Sequence, residues 1–312
     1  MSSKNINREQ RTIFMHIPKT AGFTLQKIIE RQYPPQSMYT LETLREPELI
    51  AKFKNMSQAR RAEIRMLQGH LNMSQKLHEF LPEPTTYLTM LRDPVERVIS
   101  HYYFVRDTPG HYLQDFATEK GLKELLESRQ VLMLNDMHVR LLSGVWGNLG
   151  FGECTQETLE TAKRNLREHF SVVGLTERFD ETLLLLKSAY GWQNVYYTRK
   201  NVTPNRPTRD ELPPGDLEAI IEANQLDIQL YQYATTLFEE QLRQQGPLFP
   251  LKVKAFQSMN RLYGSRACQE IRKRSLRTFI RRWRSLRTFI RRWSLRVFVR
   301  KWARRILDFI SR

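Results

Sequence analysis

The chain has 312 residues, 40% of them hydrophobic, and a formal net charge of +17 at pH 7 with a pI near 10.0. That length holds one substantial α/β domain with its own core plus an appendage. Residues 251–312 carry twenty Lys/Arg and two Asp/Glu, leaving 30 basic and 31 acidic residues upstream, so the alkaline pI comes from the tail and the charge split excludes a uniformly basic, nucleic-acid-binding body.

The first predicted element is a buried strand. Ile13, Phe14, Met15 and Ile17 form a short apolar run that Pro18 ends, and Gly22 allows a close turn before Leu25, Ile28 and Ile29 begin a helical stripe. The pattern predicts a helix starting near Ala21. Its free N–H groups and positive dipole end face a negatively charged ligand, with Lys19 and the hydroxyls of Thr20 and Thr24 converging on the same oxygens. This is not a Walker A loop, because Lys19-Thr20 precedes the glycine rather than following a glycine-containing loop.

Met66-Leu67-Gln68-Gly69-His70 reads as another strand with a turn at its end, and Tyr87 to Leu91 as a further one. Arg92-Asp93-Pro94-Val95-Glu96-Arg97 then marks a helix start: Asp93 suits the N-cap, Pro94 the first helical position, and Glu96 the third, reaching back to the cap. Val95, Val98, Ile99, Tyr102 and Tyr103 give this helix an apolar face, whereas Ser100 lies on the side of the cap. Arg92 and Ser100 can therefore share one phosphate.

HIPKTAGFTL and LRDPVERVISHYYF together resemble the 5′-phosphosulfate loop and the 3′-phosphate motif of sulfotransferases that use 3′-phosphoadenosine 5′-phosphosulfate (PAPS), in particular the carbohydrate (heparan sulfate/uronyl) 2-O-sulfotransferase-like branch. The resemblance implies a P-loop-like three-layer α/β fold with a mostly parallel sheet. It also implies that Lys19, Thr20, Ala21, Gly22, Phe23 and Thr24 hold the phosphosulfate and that Arg92 and Ser100 hold the 3′-phosphate. Phe23 departs from the small or hydroxyl residue usual in the family, which shifts weight onto backbone N–H groups. Asn201 to Pro207 is similar to a family loop that closes over the nucleotide, and this carries Arg206 into the site; an Asn/Pro-rich turn also needs no ligand to explain it.

Sulfuryl transfer to a hydroxyl calls for a base, and the resemblance assigns that role to His70, with Lys19 stabilising charge on the bridging oxygen. At the carboxyl end of its strand, His70 is expected near Lys19 and Arg92. His16 and His101 are expected to serve packing or second-shell roles; His78, His111, His138 and His169 show no partner pattern. No HExxH, CxxC or carboxylate cluster points to a metal. Two alternatives remain: a P-loop-type kinase with Asp93 as a magnesium-binding acid, and a non-enzymatic membrane or polyanion adaptor.

Further along, helices are expected around Leu122 to Leu142 and Leu159 to Leu166, then a strand at Val172 to Leu175, a helix from Asp180 to Tyr190 stopped by Gly191, and a strand at Val195 to Thr198. Leu217 to Leu242 reads as a helix or helix pair that closes the domain, ended by Gly246-Pro247. Strands alternating with helices mean a mostly parallel sheet covered on both faces. The reading divides the chain into a domain at 10–250 and a basic tail at 251–312.

The tail contains a repeat: Arg274 to Trp283 reads RSLRTFIRRW, Arg284 to Trp293 repeats it, and Ser294 to Trp302 is a degenerate copy. Leu276, Phe279, Ile280, Trp283, Leu286, Ile290, Trp293 and Val297 keep helical spacing, which predicts a cationic amphipathic helix over 270–312. An anionic membrane surface is its leading expected partner, with a polyanion next and nucleic acid disfavoured. Animal members of the resembled family are anchored by an N-terminal helix. Here the polar start MSSKNINREQR and the two unpatterned cysteines, Cys154 and Cys268, lead to the expectation of a cytoplasmic enzyme. The acceptor is expected to be a hydroxyl, on a sugar, selected by loops at Asp107 to Gln114 and Trp146 to Glu157.

Overall fold

The structure is a computed structural model that describes residues 10–42, 48–198 and 206–265. Its centre is a five-stranded sheet: β1 (Arg11–Met15), β2 (Met38–Thr40), β3 (Met66–Gly69), β4 (Thr85–Leu91) and β5 (Phe170–Leu175). The strands lie in the order β2-β3-β1-β4-β5, and every pairing is parallel. β3 is buried at all its positions and β1 at four of five, as expected of strands covered on both faces.

Helices α1 (Gly22–Ile29), α2 (Glu48–Lys54) and α3 (Gln58–Glu63) lie in the connections from β1 to β2 and from β2 to β3. Between β4 and β5 come α4 (Pro94–Arg106), α5 (Gln114–Glu119), α6 (Leu122–Glu127), α7 (Met137–Ser143) and α8 (Gln156–His169). After the sheet follow α9 (Phe179–Tyr190), α10 (Pro214–Ala223), α11 (Gln225–Arg243) and α12 (Phe249–Gly264). The chain leaves β1 toward the β2 edge and leaves β4 toward the β5 edge. Ligands of such sheets collect where the strand order reverses, which is the crevice above the carboxyl ends of β1 and β4.

The main core surrounds the sheet, with Phe14, Leu88 and Phe238 among its buried side chains; a second cluster joins α4, α5, α6 and α10 through Val98, Ile99, Leu125 and Ile220. Polar groups tie α11 to α7. Asp227 accepts from the backbone N–H of His138 at 3.0 Å and of Val139 at 2.8 Å, while its own N–H donates to Asp136 Oδ1 at 3.0 Å.

Two expectations are corrected. Val195 to Thr198 is not a strand: side chains hold it instead, with Tyr196 stacked on Phe256 at 5.3 Å and the Tyr197 hydroxyl donating to Asp180 at 2.8 Å. β2, which the sequence reading lacked, forms the opposite edge. α12 (Phe249–Gly264) spans position 250, where the sequence reading ends the first domain. The expected pair over Leu217 to Leu242 is α10 and α11, parted at Asn224, whose amide donates to Leu134 O and Ile220 O. The tail repeat lies outside the described residues.

Candidate functional site

The loop after β1 reaches α1 through two left-handed residues that are not glycine, Lys19 (φ 72°) and Ala21 (φ 61°). Each costs about 1–3 kcal/mol, a strain typical of ligand-binding turns. Ala21 is the N-cap of α1 and no side chain caps the helix, so its leading N–H groups remain for an anion. The Lys19 ammonium sits 3.8 Å from the centroid of the Phe104 ring on α4. Burial, then the Arg92 and Arg206 charges, pull its pKa down from 10.5 to about 8.

Of the loop's hydroxyls, that of Thr20 is engaged within the loop. Thr20 is fully buried and its Oγ1 donates to Ile17 O at 2.8 Å, so its one proton closes the turn and Thr20 serves the loop's shape. Thr24 is buried in α1. Phe23 is 40% exposed, with the Lys27 ammonium 5.6 Å from its ring centroid. Gly22 is required by close approach: a Cβ there would lie 1.9 Å from the His16 imidazole.

Across the crevice, β4 delivers Arg92. Asp93 Oδ1 accepts from Glu96 N at 3.1 Å as the expected N-cap of α4, with Pro94 in the first turn. The Glu96 carboxylate, however, does not reach back to the cap. Its Oε2 binds Arg92 Nη2 at 3.3 Å and Arg206 Nη2 at 2.7 Å, because two guanidinium groups offer it more than one amide does. Arg206 Nη1 also donates to Glu96 O at 3.1 Å. Arg92 Nη1 donates to Lys19 O at 3.1 Å and so bridges the two halves of the crevice. Arg92 Nε makes no hydrogen bond and lies 3.9 Å from Glu177 Oε1. Burial and Arg206 lower the Arg92 pKa, against the pull of Glu96, Glu177 and Asp93. Ser100 is buried two turns along α4 from Asp93. Arg206 thus joins the Arg92 cluster, whereas Asn201 to Asn205 lie outside the described residues.

β3 pairs with the other side of β1, Met15 opposite Gly69, so His16 and His70 emerge side by side. Their rings stack with centroids 4.4 Å apart. His16 is buried, and burial, then His70 and Lys19, hold its pKa well below 6.5. His70 Nδ1 is hydrogen-bonded to Glu42 Oε2, a partner the sequence reading missed because nothing in the TLET context marks it.

The other histidines are mostly structural. His101 is buried as expected, its pKa lowered by burial and then by Arg97. His138, which shows no partner pattern in the sequence, is fully buried with Nδ1 3.4 Å from Asp227 Oδ2 and no hydrogen bond to either ring nitrogen. His78 binds the Tyr87 hydroxyl at 3.0 Å and packs on His169, centroids 4.9 Å apart. His111 stacks on Tyr112, which is 81% exposed in the loop before α5.

Residues 2–270 match the family model described as galactose-3-O-sulfotransferase. A human heparan-sulfate 6-O-sulfotransferase 3 is 29% identical over 184 residues, covering 49% of this chain and 38% of that protein. A heparin sulfate O-sulfotransferase from Drosophila melanogaster is 23% identical over 253 residues, covering 73% of this chain and 71% of its own length, and a mouse galactose-3-O-sulfotransferase 2 is 26% identical, covering 56% and 48%. The chain therefore spans well under half of the human relative it matches and over two thirds of the fly one. A crystal structure of mouse sulfotransferase SULT7A1 complexed with PAP aligns with a TM-score of 0.36 at 14% identity, over 72% of this chain and 67% of that one. With a family model covering the strands, the phosphate-side loops and all the residues of the crevice described above, the chain belongs to the galactose-3-O-sulfotransferase family.

Proposed function

We propose that this chain transfers a sulfuryl group from PAPS to a hydroxyl of a carbohydrate, without a metal. The observation that carries the reading is the pairing across the switch-point crevice: the Arg92 guanidinium, just past the end of β4, is bonded to the carbonyl of Lys19 in the loop that leads to the uncapped start of α1. The residues fit the nucleotide. An uncapped N-terminus and a lysine with a depressed pKa suit the phosphosulfate, and the Arg92 guanidinium, held beside Arg206 by the shared Glu96 carboxylate, suits the 3′-phosphate.

PAPS supplies the sulfuryl group. Lys19 and the first N–H groups of α1 stabilise charge on the bridging oxygen, Arg92 and Ser100 fix the 3′-phosphate, and Arg206 supports Arg92 through their shared Glu96 carboxylate. His70 takes the hydroxyl proton. Tyr112, exposed beside His111, offers a flat apolar face for a sugar ring. A kinase reading would give Asp93 to magnesium, but that carboxylate caps α4.

The test is transfer of labelled sulfate from PAPS in EDTA to a panel of O-desulfated heparin, heparosan, lactose and other β-galactosides. The reading expects label in at least one sugar and none with His70→Ala. Folded protein that neither binds PAP nor labels any sugar would refute it.

A further inference from the structure

The geometry points to Glu42 as a positioning residue that holds the His70 base in one orientation and one tautomer. This rests on the reading of His70 as base. Glu42 Oε2 is hydrogen-bonded to His70 Nδ1, which places the ring proton at Nδ1 and the lone pair at Nε2. As the acceptor oxygen bonds to sulfur and the bond from sulfur to the 5′-phosphate oxygen breaks with its electron pair, the hydroxyl proton moves to Nε2. The resulting imidazolium is then stabilised by the Glu42 carboxylate.

The fold delivers Glu42 to this place. β2 runs parallel to β3 with Thr40 opposite Gln68, and Leu41 N donates to Gln68 O at 2.9 Å, so Glu42 comes alongside His70 two residues beyond the last paired strand position. The approach is possible only because residue 69 is glycine, since a Cβ there would lie 1.7 Å from Leu41 O. On the other face, the buried ring of His16 stacks on His70, so the imidazole is fixed by a carboxylate at its edge and by a ring against its plane. The side chains of His70 and Glu42 are 24% and 35% exposed, so both reach the surface of the crevice. A partly exposed carboxylate on a loop contributes little to stability by pairing with a histidine.

Nitrogen-15 NMR of the imidazoles, with His70→Ala to assign the signals, tests the proposal on the PAP-saturated and free full-length protein. In wild type the neutral His70 ring is expected to show a protonated Nδ1 and an unprotonated Nε2. Glu42→Ala should redistribute the proton toward Nε2, and Glu42→Gln, which keeps an acceptor oxygen, should restore part of the Nδ1–H form. With whichever sugar of the panel turns over, Glu42→Ala should lower kcat by about tenfold or more while KM for PAPS stays within about twofold. A wild-type ring protonated at Nε2, or a Glu42→Ala protein with unchanged spectrum or unchanged kcat, would overturn the proposal. The two readings fail separately: absence of PAP binding refutes the sulfotransferase assignment, whereas PAP binding with an indifferent Glu42→Ala refutes only the role of Glu42.

Discussion

The Arg92 guanidinium donates from Nη1 to the carbonyl oxygen of Lys19 at 3.1 Å, joining residues 73 positions apart across the switch-point crevice. The bond couples the two proposed phosphate sites, because moving Arg92 also moves the backbone that presents Lys19. Replacement by lysine keeps the charge but loses the fork that reaches Lys19 O and Glu96 together. Arg92→Lys is expected to weaken PAP binding by about ten- to a hundredfold, or ~1.4–2.8 kcal/mol, measured by calorimetric titration. Wild-type affinity in this variant would show that the fork is dispensable.

Lys19 makes binding pH-dependent. Its pKa of about 8 in the free protein is below the ordinary 10.5, and an anionic ligand favours the charged form, so the bound pKa lies above 8. PAP binding should therefore take up a proton above pH 8, and affinity should fall by up to about tenfold per pH unit from there to the bound-state pKa. Below pH 7 Lys19 is charged in both states and contributes no slope. Titrations between pH 6.5 and 9.5 in buffers of different ionisation enthalpy read this uptake. Lys19→Met should abolish it.

Gly22 and His16 form a steric pair. A Cβ at residue 22 would lie 1.9 Å from the imidazole, so Gly22→Ala must displace the ring that stacks on His70 or shift the start of α1. We expect a loss of about 1–3 kcal/mol in urea unfolding, together with weakened PAP binding. His16→Ala combined with Gly22→Ala should recover most of the stability; equal losses in the single and double variants would contradict the contact.

Asp227 holds α7 to α11. It is fully buried, accepts two backbone N–H groups, and lies near the buried Arg97 charge; burial raises its own pKa. Asp227→Ala should cost about 3–5 kcal/mol by leaving those donors and the Arg97 charge uncompensated, read as a lower urea midpoint. The nucleotide affinity of the remaining folded protein should be unchanged, since Asp227 belongs to none of the crevice contacts.

How much of this was legible in the sequence depended on whether the signal was local. The β1 run, the helix start near Ala21 and the Asp93-Pro94 start are consecutive residues with period or cap chemistry, and each became the element expected of it, whereas the turn expected at Gly22 is made by Lys19 and Ala21. Arg92 and Lys19 stand out in the sequence as candidate phosphate contacts, but their mutual bond depends on strand order, which no single segment encodes. Glu42 was invisible for the same reason: it meets His70 only through the β2–β3 pairing, and the three-residue β2 has too little pattern to announce itself. The Val195 to Thr198 run looked like a strand because buried aromatic and β-branched residues mark any half-covered extended segment. Glu96 matched a capping position and was instead taken by two arginines, one of them 110 residues away.

The central claim is that the crevice between Lys19 and Arg92 holds the nucleotide. Calorimetric titration of PAP, in EDTA, into the wild type, Lys19→Ala and Arg92→Ala tests it most directly. The account predicts one site that persists without metal and is weakened by about tenfold or more in each variant. Folded wild-type protein that does not bind PAP, or binding indifferent to both substitutions, would contradict it.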